Sequence, residues 1–402
     1  MSDVRPFRAL RPRDDLAGEI IAPPYDVLTD AECRELARNP KNFVRVTRSE
    51  VDLPAGADSH SDAAYQKAAE NLQLFVKNGW LAPDREETYY LYAQTMGTHR
   101  QTCILAGASV AEYDANLIAK HEYTRPDKED DRTHHMDVLD AQVGLVFLAY
   151  NPTPRLAELV ARAERTPASW TVTTEDDVVH ELRAVPVELV DDLRQAFAEL
   201  PKLYICDGHH RSAAASRIDR QRNSPLTKHF LAGLFPADQL RIMAYNRQVK
   251  DLNGIAAGDF LARVKSAGFD VRDGGPASPA HRGEIAMYFQ GKWSTLTPQA
   301  RLRSDDPVAG LDVSILQDNL LAPLLGIEDP RRSSRIEFVG GIRGPDALVK
   351  AVDSGAAAVA FSMYPTGMDQ LFQVADADQV MPPKSTWFEP KLREGVVVRA
   401  LS

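Results

Sequence analysis

The stretch that decides the fold is KLYICDGHHRSAAASR, which spans residues 202–217. It begins with a short apolar run typical of a buried strand, continues with DGHHR, and ends in an alanine-rich segment of helical composition. The pattern predicts a strand, a tight loop and the start of a helix in direct succession. A helix start presents unpaired N–H donors with a partial positive charge, and Gly208 lets a ligand approach the backbone closely. We therefore expect a phosphate-sized site at residues 207–211.

The side chains of this loop suit phosphate chemistry. Arg211 supplies a permanent planar cation for bidentate phosphate contact, and His209 and His210 can donate hydrogen bonds or assist proton transfer. Asp207, at the end of the strand, is suited to holding Mg²⁺ or accepting a hydrogen bond from a substrate hydroxyl. The alternative is an ordinary Asp-Gly turn whose histidines are surface or core residues. The run of functional residues on one turn favours the phosphate site.

A second candidate cluster lies in the charged run KHEYTRPDKEDDRTHHMD, residues 120–137. Lys120 and His121 would keep the neighbouring Glu122 carboxylate ionised, a state that suits a base taking a proton from an alcohol. Glu122 is therefore the candidate base, and Lys120 and Arg132 are candidate phosphate contacts. The alternative interpretation is a solvated charged face, the usual fate of such a run.

Two proline-containing loops supply a third group of candidates. Prolines fix the backbone of PPYDV (residues 23–27) and punctuate MPPKST (residues 381–386), so each loop holds its polar residues in one conformation. Rigid loops with polar tips suit binding, although many serve only as connectors. Together with Thr124 of the charged run, the candidate substrate-binding residues are Tyr25, Asp26, Lys384, Ser385 and Thr386.

A metal-dependent hydrolase is an alternative, because His134 and His135 lie near His121 in the sequence. Adjacent histidines point in different directions from most backbones, and the sequence contains neither an HExxH helix motif nor a CxxC pair. A metal other than Mg²⁺ is therefore a minor alternative.

Composition limits the class of protein. The chain has 402 residues, and its 47 basic and 57 acidic residues give a net charge of −10. This charge disfavours nucleic acid or an anionic membrane as the main partner. The three cysteines, Cys33, Cys103 and Cys206, are far apart, and the N-terminal residues contain no apolar segment for export. We expect a soluble, cytoplasmic protein of two to three domains.

Local patterns predict a mixture of helices and strands. Residues 89–94 and 101–110 indicate a hairpin around Gly97, and the alternation in NFVRVT, residues 42–47, indicates a half-buried strand. The expected fold class is α+β.

Five motifs in order resemble one bacterial and archaeal family, domain of unknown function 1015. They are PPYDV, KHExT with a downstream DR, DGHHR, DSG followed by an apolar strand, and MPPKSTWFxPK. The resemblance extends from about residue 5 to 397. The DGHHR element further resembles that of the free-serine kinases within the ParB and sulfiredoxin superfamily.

The resemblance implies a fold, an activity and a set of roles. A ParB/sulfiredoxin-like nucleotide-binding core, with an insertion, would occupy residues 116–250, flanked by α/β regions at 1–115 and 251–402. The activity would be phosphorylation of L-serine to O-phosphoserine with ATP or ADP and Mg²⁺. DGHHR matches the motif that holds nucleotide phosphates and metal, and the segment His121-Glu122 resembles the one that carries the catalytic glutamate.

The function predicted from the sequence is phosphorylation of a small hydroxyl-bearing metabolite, with free L-serine as the leading acceptor. Predicted catalytic residues are Glu122, His121 and Asp207, with Asp207 also the metal ligand. The expected partners are a nucleotide and the metabolite, without nucleic acid or membrane, and a homodimer is left open. The alternatives are a non-catalytic ParB-like nucleotide-binding switch and a metal-dependent hydrolase.

Overall fold

The computed structural model describes residues 2–402, and the chain divides into two compact units. The first unit comprises the chain up to Leu240 together with Pro390–Ser402, and the second comprises Arg241–Glu389. Helices and strands are mixed in both units. Most strand pairs are antiparallel, whereas Ile118–Ala119 and Leu203–Asp207, and likewise Val146–Tyr150 and His229–Pro236, pair in parallel. The predicted α+β class is confirmed.

A nine-stranded mixed sheet forms the centre of the first unit. Eight strands lie side by side in the order Ile118–Ala119, Leu203–Asp207, Val146–Tyr150, His229–Pro236, His99–Ser109, Tyr90–Met96, Val178–Ala184 and Trp170–Thr173. The ninth, Val4–Arg5, pairs with His99–Ser109. Antiparallel pairing of Tyr90–Met96 with His99–Ser109 confirms the hairpin predicted around Gly97.

Shorter elements complete the first unit. Two small sheets pair Leu10–Pro12 with Leu81–Pro83, and Ala141–Gln142 with Arg399–Ala400. The α-helices are Ala17–Ile20, Asp30–Leu36, Val44–Thr47, Asp62–Lys77, Val110–Asp114, Pro126–Leu139, Pro154–Ala163, Val187–Ala198 and His209–Arg222. None of the helices in residues 2–402 is both long enough and apolar enough to span a bilayer.

The predicted strand, turn and helix are confirmed at residues 203–222. The strand Leu203–Asp207, here called the site strand, lies within the central sheet, and its first four residues are buried. Gly208 then starts the helix His209–Arg222, here called the site helix. The alanines and serines at 212–216 are all buried, because their small side chains let this helix lie close to its neighbours.

The charged run folds into a loop and a helix. Residues 120–125 form the loop, and the helix Pro126–Leu139, here called the charged helix, begins with proline at its first position and has Asp127 and Glu129 in its first turn. Proline and acidic residues both favour a helix start. Despite its polarity, the helix buries one face, which includes Asp131, His135 and Met136.

The predicted strand at residues 42–47 is wrong, because Val44–Thr47 form a helix. The Asn42 carboxamide oxygen accepts the Val44 N–H at 3.0 Å, which favours a turn over an extended backbone. Asn71 then donates to the Arg45 carbonyl at 2.6 Å. The local bond of Asn42 and the tertiary bond of Asn71 both favour the helix, which so short a pattern cannot distinguish from a strand.

Two clusters of buried apolar side chains stabilise the first unit. The larger one joins the central sheet to the helices Pro154–Ala163, Val187–Ala198 and His209–Arg222. The second joins Val44–Thr47 and Asp62–Lys77 to neighbouring residues, and it includes Val398 from the end of the chain.

Residues 390–402, here called the C-terminal strap, return to the first unit. The backbones of Glu394 and Val398 bond to Ala22 and Leu10. The Gln94 side chain donates to the Lys391 carbonyl at 2.8 Å. These bonds fix the position of the strap beside the central sheet.

The second unit contains a six-stranded antiparallel sheet. Its strand order is Phe269–Asp273, Lys292–Pro298, Ile285–Phe289, Val359–Met363, Tyr245–Val249 and Ile336–Gly340. Ile242–Met243 pairs separately with Trp387–Phe388. Its α-helices are Ala257–Ser266, Asp312–Leu316, Asp346–Asp353 and Met368–Asp376.

The compact units do not coincide with the regions 1–115, 116–250 and 251–402. Residue 115 lies inside the first unit, because Tyr90–Met96 and His99–Ser109 share a sheet with strands from later in the chain. The second unit begins at Arg241. The ParB/sulfiredoxin-like character of residues 116–250 stays a prediction.

Candidate functional site

The DGHHR turn is a tight connection that glycine alone fits well. Gly208 has φ 92° and ψ 27°, in the left-handed region that L side chains rarely adopt. A Cβ atom there would lie 3.0 Å from Nε of Arg211. The Gly208 N–H donates to Oδ1 of Asp207 at 2.8 Å. The turn therefore places Asp207 and Arg211 side by side at the start of the site helix.

Asp207 is held ionised by two cations. Its Oδ2 lies 3.1 Å from Nζ of Lys391 in the C-terminal strap, and its Oδ1 lies 4.0 Å from Nη2 of Arg211. Burial opposes ionisation of Asp207, but Lys391 and Arg211 outweigh that effect and hold its pKa well below the usual range. Two cations face one carboxylate, which leaves one positive charge in excess.

Two neutral histidines lie behind the turn. The rings of His121 and His209 meet edge to face with centroids 4.7 Å apart, and both residues are buried. Burial lowers the pKa of His121 to about 4 and lowers that of His209 well below its ordinary value. Nδ1 of His121 and Nε2 of His209 have no hydrogen-bond partner among residues 2–402. At neutral pH each ring can therefore donate or accept a hydrogen bond with a ligand or water.

Glu122 lies beside this pair. Its Oε2 is 3.8 Å from Nδ1 of His209, and its side chain is 58 % exposed. The Glu122 carboxylate therefore faces solvent next to the DGHHR turn, where a small molecule can reach it. The structure thus brings together the loop after Ile118–Ala119 and the start of the site helix, the two segments that sequence analysis singled out.

His210 ties the charged loop to the site helix. Its Nε2 accepts the backbone N–H of Arg125 at 3.1 Å. Burial lowers the pKa of His210, which favours the neutral ring that this bond requires. His210 therefore fixes the loop that carries Glu122.

Two other predicted residues of the charged loop make local contacts. Nζ of Lys120 donates to the Tyr113 carbonyl at 2.5 Å and lies over the Tyr113 ring. The Thr124 hydroxyl donates to the Glu129 carboxylate. A phosphate contact by Lys120 and a substrate contact by Thr124 stay predictions.

Arg132 and Tyr25 lie together near Arg211. The Arg132 guanidinium stacks over the Tyr25 ring at 4.3 Å and lies 2.7 Å from the Asp131 carboxylate. Tyr25, Arg132 and Arg211 line the same small cavity. Asp26, in contrast, is exposed. Sequence analysis had placed Tyr25 and Arg132 in separate motifs.

Lys384, Ser385 and Thr386 belong to the second unit. The Lys384 carbonyl accepts from Arg247 at 3.1 Å, and the Ser385 hydroxyl donates to the Pro382 carbonyl at 2.7 Å. Thr386 is half-buried. Substrate binding by these three residues stays a prediction.

The Asp207 carboxylate is chemically suited to hold Mg²⁺, the metal that the sequence predicts for it. An ionised carboxylate offers about four acceptor positions, and the bonds to Gly208 and Lys391 occupy one on each oxygen. Mg²⁺ commonly binds one or two carboxylates together with substrate phosphates and water. Within residues 2–402, no group of three or more His, Cys, Asp or Glu side chains is arranged to hold a metal ion.

The histidine pair 134–135 diverges. His135 is buried and its Nε2 donates to the Val46 carbonyl at 3.2 Å, whereas the half-exposed His134 ring lies 3.4 Å from Asp62. The two rings therefore serve different contacts.

Sequence analysis missed Lys391 and Glu394 as site residues. Lys391 closes the motif MPPKSTWFEPK, whose final lysine was a usable signal. Glu394 follows that motif and carries no local signal. Burial raises the pKa of Glu394 to about 7, although the Thr47 hydroxyl, Arg211 and Arg132 act to lower it.

Comparison with known proteins identifies the family. The model for the family described as "Protein of unknown function (DUF1015)" matches residues 4–314. The chain belongs to the DUF1015 family. The resemblance predicted from its motifs is thereby confirmed, and PPYDV, the KHExT segment and DGHHR lie within the matched range. No curated protein matches this DUF1015 member.

Solved structures give weaker similarities to this DUF1015 member. Free serine kinase in complex with AMP has a TM-score of 0.35 at 13 % identity, with 71 % of this chain and 86 % of that chain covered. A mutant of the same kinase with ADP has a TM-score of 0.36 at 14 % identity, with coverage of 71 % and 87 %. SbnI from Staphylococcus aureus has a TM-score of 0.38 at 10 % identity, with coverage of 72 % and 84 %.

Proposed function

We propose that this DUF1015 protein is a nucleotide-dependent phosphotransferase that phosphorylates the hydroxyl group of a small metabolite. The observation that carries the proposal is the position of the exposed Glu122 carboxylate. Its Oε2 lies 3.8 Å from His209, at the start of a helix flanked by Arg211 and Lys391. A carboxylate that can accept a proton thus lies beside cations that can bind phosphate. Transfer of a phosphoryl group to an alcohol requires both.

The DGHHR turn supplies the phosphate contacts. The first N–H groups of the 14-residue site helix point toward its start, where the helix dipole favours negative charge. Arg211 and Lys391 exceed Asp207 by one positive charge. Charge-assisted bonds of this kind are the strong ones in phosphate recognition. His209 and His210 add neutral rings that are suited to hydrogen bonding with a nucleotide.

Glu122 acts as the base in the proposed reaction. The hydroxyl oxygen of the acceptor forms a new bond to the terminal phosphorus of the nucleotide, and the bond from that phosphorus to its bridging oxygen breaks. The acceptor proton moves to Glu122, and the shortened nucleotide leaves with the electron pair. Positioning and neutralisation of charge supply most of the rate enhancement in such reactions.

ATP or ADP is the proposed phosphoryl donor, and Asp207 is the residue that would hold Mg²⁺ with its phosphates. The ion would neutralise phosphate charge when bound. Free L-serine is the leading acceptor, and the cytoplasm is the proposed location, because both nucleotides are available there.

Incubation of the full chain with labelled ATP, and separately with labelled ADP, tests the proposal. The acceptors are L-serine, other small amino acids and polyols, and the readout is a labelled product. We expect O-phosphoserine with one of the two nucleotides and Mg²⁺. Nucleotide binding without any phosphorylated product would favour a switch. Phosphate release without an acceptor, together with metal in protein purified without added zinc, would favour a hydrolase.

A further inference from the structure

An arginine inside the sheet of the second unit has no acidic partner. Arg247 lies in the strand Tyr245–Val249, next to the edge strand Ile336–Gly340, and it is only 3 % exposed. Its guanidinium donates to the carbonyls of Tyr245 and Lys384, to the latter at 3.1 Å. No Asp or Glu carboxylate pairs with Arg247 in the part of the chain that the structure describes. The described residues thus leave a buried positive charge without a counter-charge.

The other two deeply buried arginines of residues 2–402 have acidic neighbours. Arg393 forms an ion pair with Asp176, and the Glu87 carboxylate acts to raise the pKa of Arg399. Burial lowers the pKa of Arg247 to about 10, and the described residues supply no carboxylate against that effect. Buried charges in proteins are normally paired. A counter-charge for Arg247 can therefore come from a bound anion.

A second cation lies beside Arg247. Lys384 is exposed, and its ammonium group makes no ion pair within residues 2–402. Its Nζ lies 5.4 Å from the centroid of the Tyr245 ring, the residue whose carbonyl accepts from Arg247. The Lys384 carbonyl accepts from Arg247 as well. The two positive charges therefore lie on adjoining groups, one inside the sheet and one at the surface.

The loop that carries Lys384 is fixed to the sheet. The Ser385 carbonyl accepts the Thr366 hydroxyl at 2.9 Å, and Trp387 pairs with Met243 in a short two-stranded sheet. Lys384 has φ +59°, in the left-handed region that residues other than glycine seldom adopt. Such a conformation persists where the surrounding structure imposes it, and it is most common at functional sites. The lysine is thus presented from a loop of defined conformation, which lowers the entropy cost of binding.

Aromatic rings surround the two cations. The guanidinium carbon of Arg247 lies 5.4 Å from the centroid of the Phe338 ring. The Tyr245 ring meets Phe338 and Trp387 edge to face, with centroids 5.9 Å and 5.1 Å apart. Gly340 lets Trp387 lie against the strand, because a Cβ atom there would lie 3.0 Å from the Trp387 ring. Aromatic faces attract cations but carry no net charge, so they position the cations without neutralising them.

We propose that Arg247 and Lys384 bind the phosphoryl group of a phosphate monoester. Such a group carries a charge of about −1.5 to −2 at pH 7, which matches two cations, whereas a carboxylate would neutralise only one. The two carbonyl bonds of Arg247 leave N–H donors of its guanidinium for phosphate oxygens, and Lys384 adds a point charge. The site lies in the second unit and does not depend on the proposed function.

Calorimetric titration of the full chain with methyl phosphate, and separately with acetate, tests the inference. Methyl phosphate should bind, and acetate should bind about tenfold or more weakly, because it carries a single charge. Since the DGHHR turn is also expected to bind phosphate, the titration is analysed for affinity and for the number of sites.

Matched lysine variants assign the binding to this site. Lys384→Met replaces one unbranched side chain by another on the same left-handed backbone and removes the charge. It should weaken methyl phosphate binding at one site about tenfold or more. Lys350→Met removes an exposed lysine from the helix Asp346–Asp353 of the same unit and should change nothing.

Arg247→Lys tests the buried cation. It keeps the charge, loses the planar fork and should also weaken methyl phosphate binding. Circular dichroism verifies the fold of each variant. If Arg247→Lys does not fold, the comparison of Lys384→Met with Lys350→Met decides the matter.

Unchanged affinity and number of sites in folded Lys384→Met would overturn the inference. Acetate that binds as tightly as methyl phosphate would overturn it too, as would undetectable methyl phosphate binding at millimolar concentration. Failure of the proposed function looks different. If Lys384→Met abolishes all methyl phosphate binding, the second-unit site is supported, whereas the DGHHR turn binds no phosphate and the kinase proposal loses its phosphate site.

Discussion

Nζ of Lys391 lies 3.1 Å from Oδ2 of Asp207, although 184 residues separate the two in the sequence. The contact places a cation from the C-terminal strap against the end of the site strand. It supplies one of the two positive charges that keep Asp207 ionised, and these two cations exceed the Asp207 carboxylate by one positive charge.

Removal of this cation should weaken nucleotide binding. In Lys391→Met, Arg211 is the one remaining cation beside the Asp207 carboxylate. The DGHHR turn then has no excess positive charge. Charged hydrogen bonds contribute about 1.5–3 kcal/mol, so the dissociation constant for nucleotide should rise tenfold or more. Titration with a fluorescent nucleotide measures it. Lys77→Met, which removes an exposed lysine, is the control. Equal affinities for the two variants would show that Lys391 does not contribute.

The Glu122→Gln variant should bind nucleotide normally and turn over poorly. The substitution keeps the size of the side chain but removes its ability to take a proton. Loss of a positioned base costs a factor of about 10² to 10⁴ in rate. Initial rates of product formation and a separate nucleotide titration distinguish the two effects. Glu188→Gln serves as control, and near-normal turnover in Glu122→Gln would dismiss Glu122 as the base.

The Gly208→Ala variant should lose both stability and nucleotide affinity. Left-handed backbone costs an alanine about 1–2 kcal/mol, and the new Cβ would lie 3.0 Å from Nε of Arg211 and displace it. Gly97→Ala is the matched control, because Gly97 has φ +60° with no atom within 4 Å of its Cβ position. Denaturation should show similar losses for both variants, whereas only Gly208→Ala should bind nucleotide poorly. Normal nucleotide binding by Gly208→Ala would contradict this account of the turn.

Glu394 should make stability depend on pH. Its pKa rises from 4.5 to about 7 on folding, so the folded state holds the proton more tightly than the unfolded state. The free energy of unfolding should therefore fall between about pH 4.5 and pH 7, by about 3 kcal/mol in total. Glu394→Gln lacks this titration. The difference in unfolding free energy between wild type and Glu394→Gln should shrink by that amount over the interval; a constant difference would refute the assignment.

Sequence patterns captured the local part of the site and missed its long-range part. The strand, turn and helix at residues 203–222 follow from an apolar run, a glycine and a run of small residues, each of which acts through its own neighbours. The contact of Lys391 with Asp207 depends on where the C-terminal strap lies, as does the position of Glu394 near Arg211. No local sequence pattern predicts where the strap lies. Residues 42–47 show the same limit in part, since one of the two bonds that favour their helix comes from the distant Asn71.

The interruption of the first unit has a consequence for biosynthesis. Leu240 and Pro390 belong to the same compact body, and Arg241–Glu389 fold as another. A ribosome must therefore translate the whole intervening segment before Lys391 exists to meet Asp207. The first 240 residues can begin to fold while synthesis continues, yet the charge balance of the DGHHR turn is completed only when the C-terminal strap has been made.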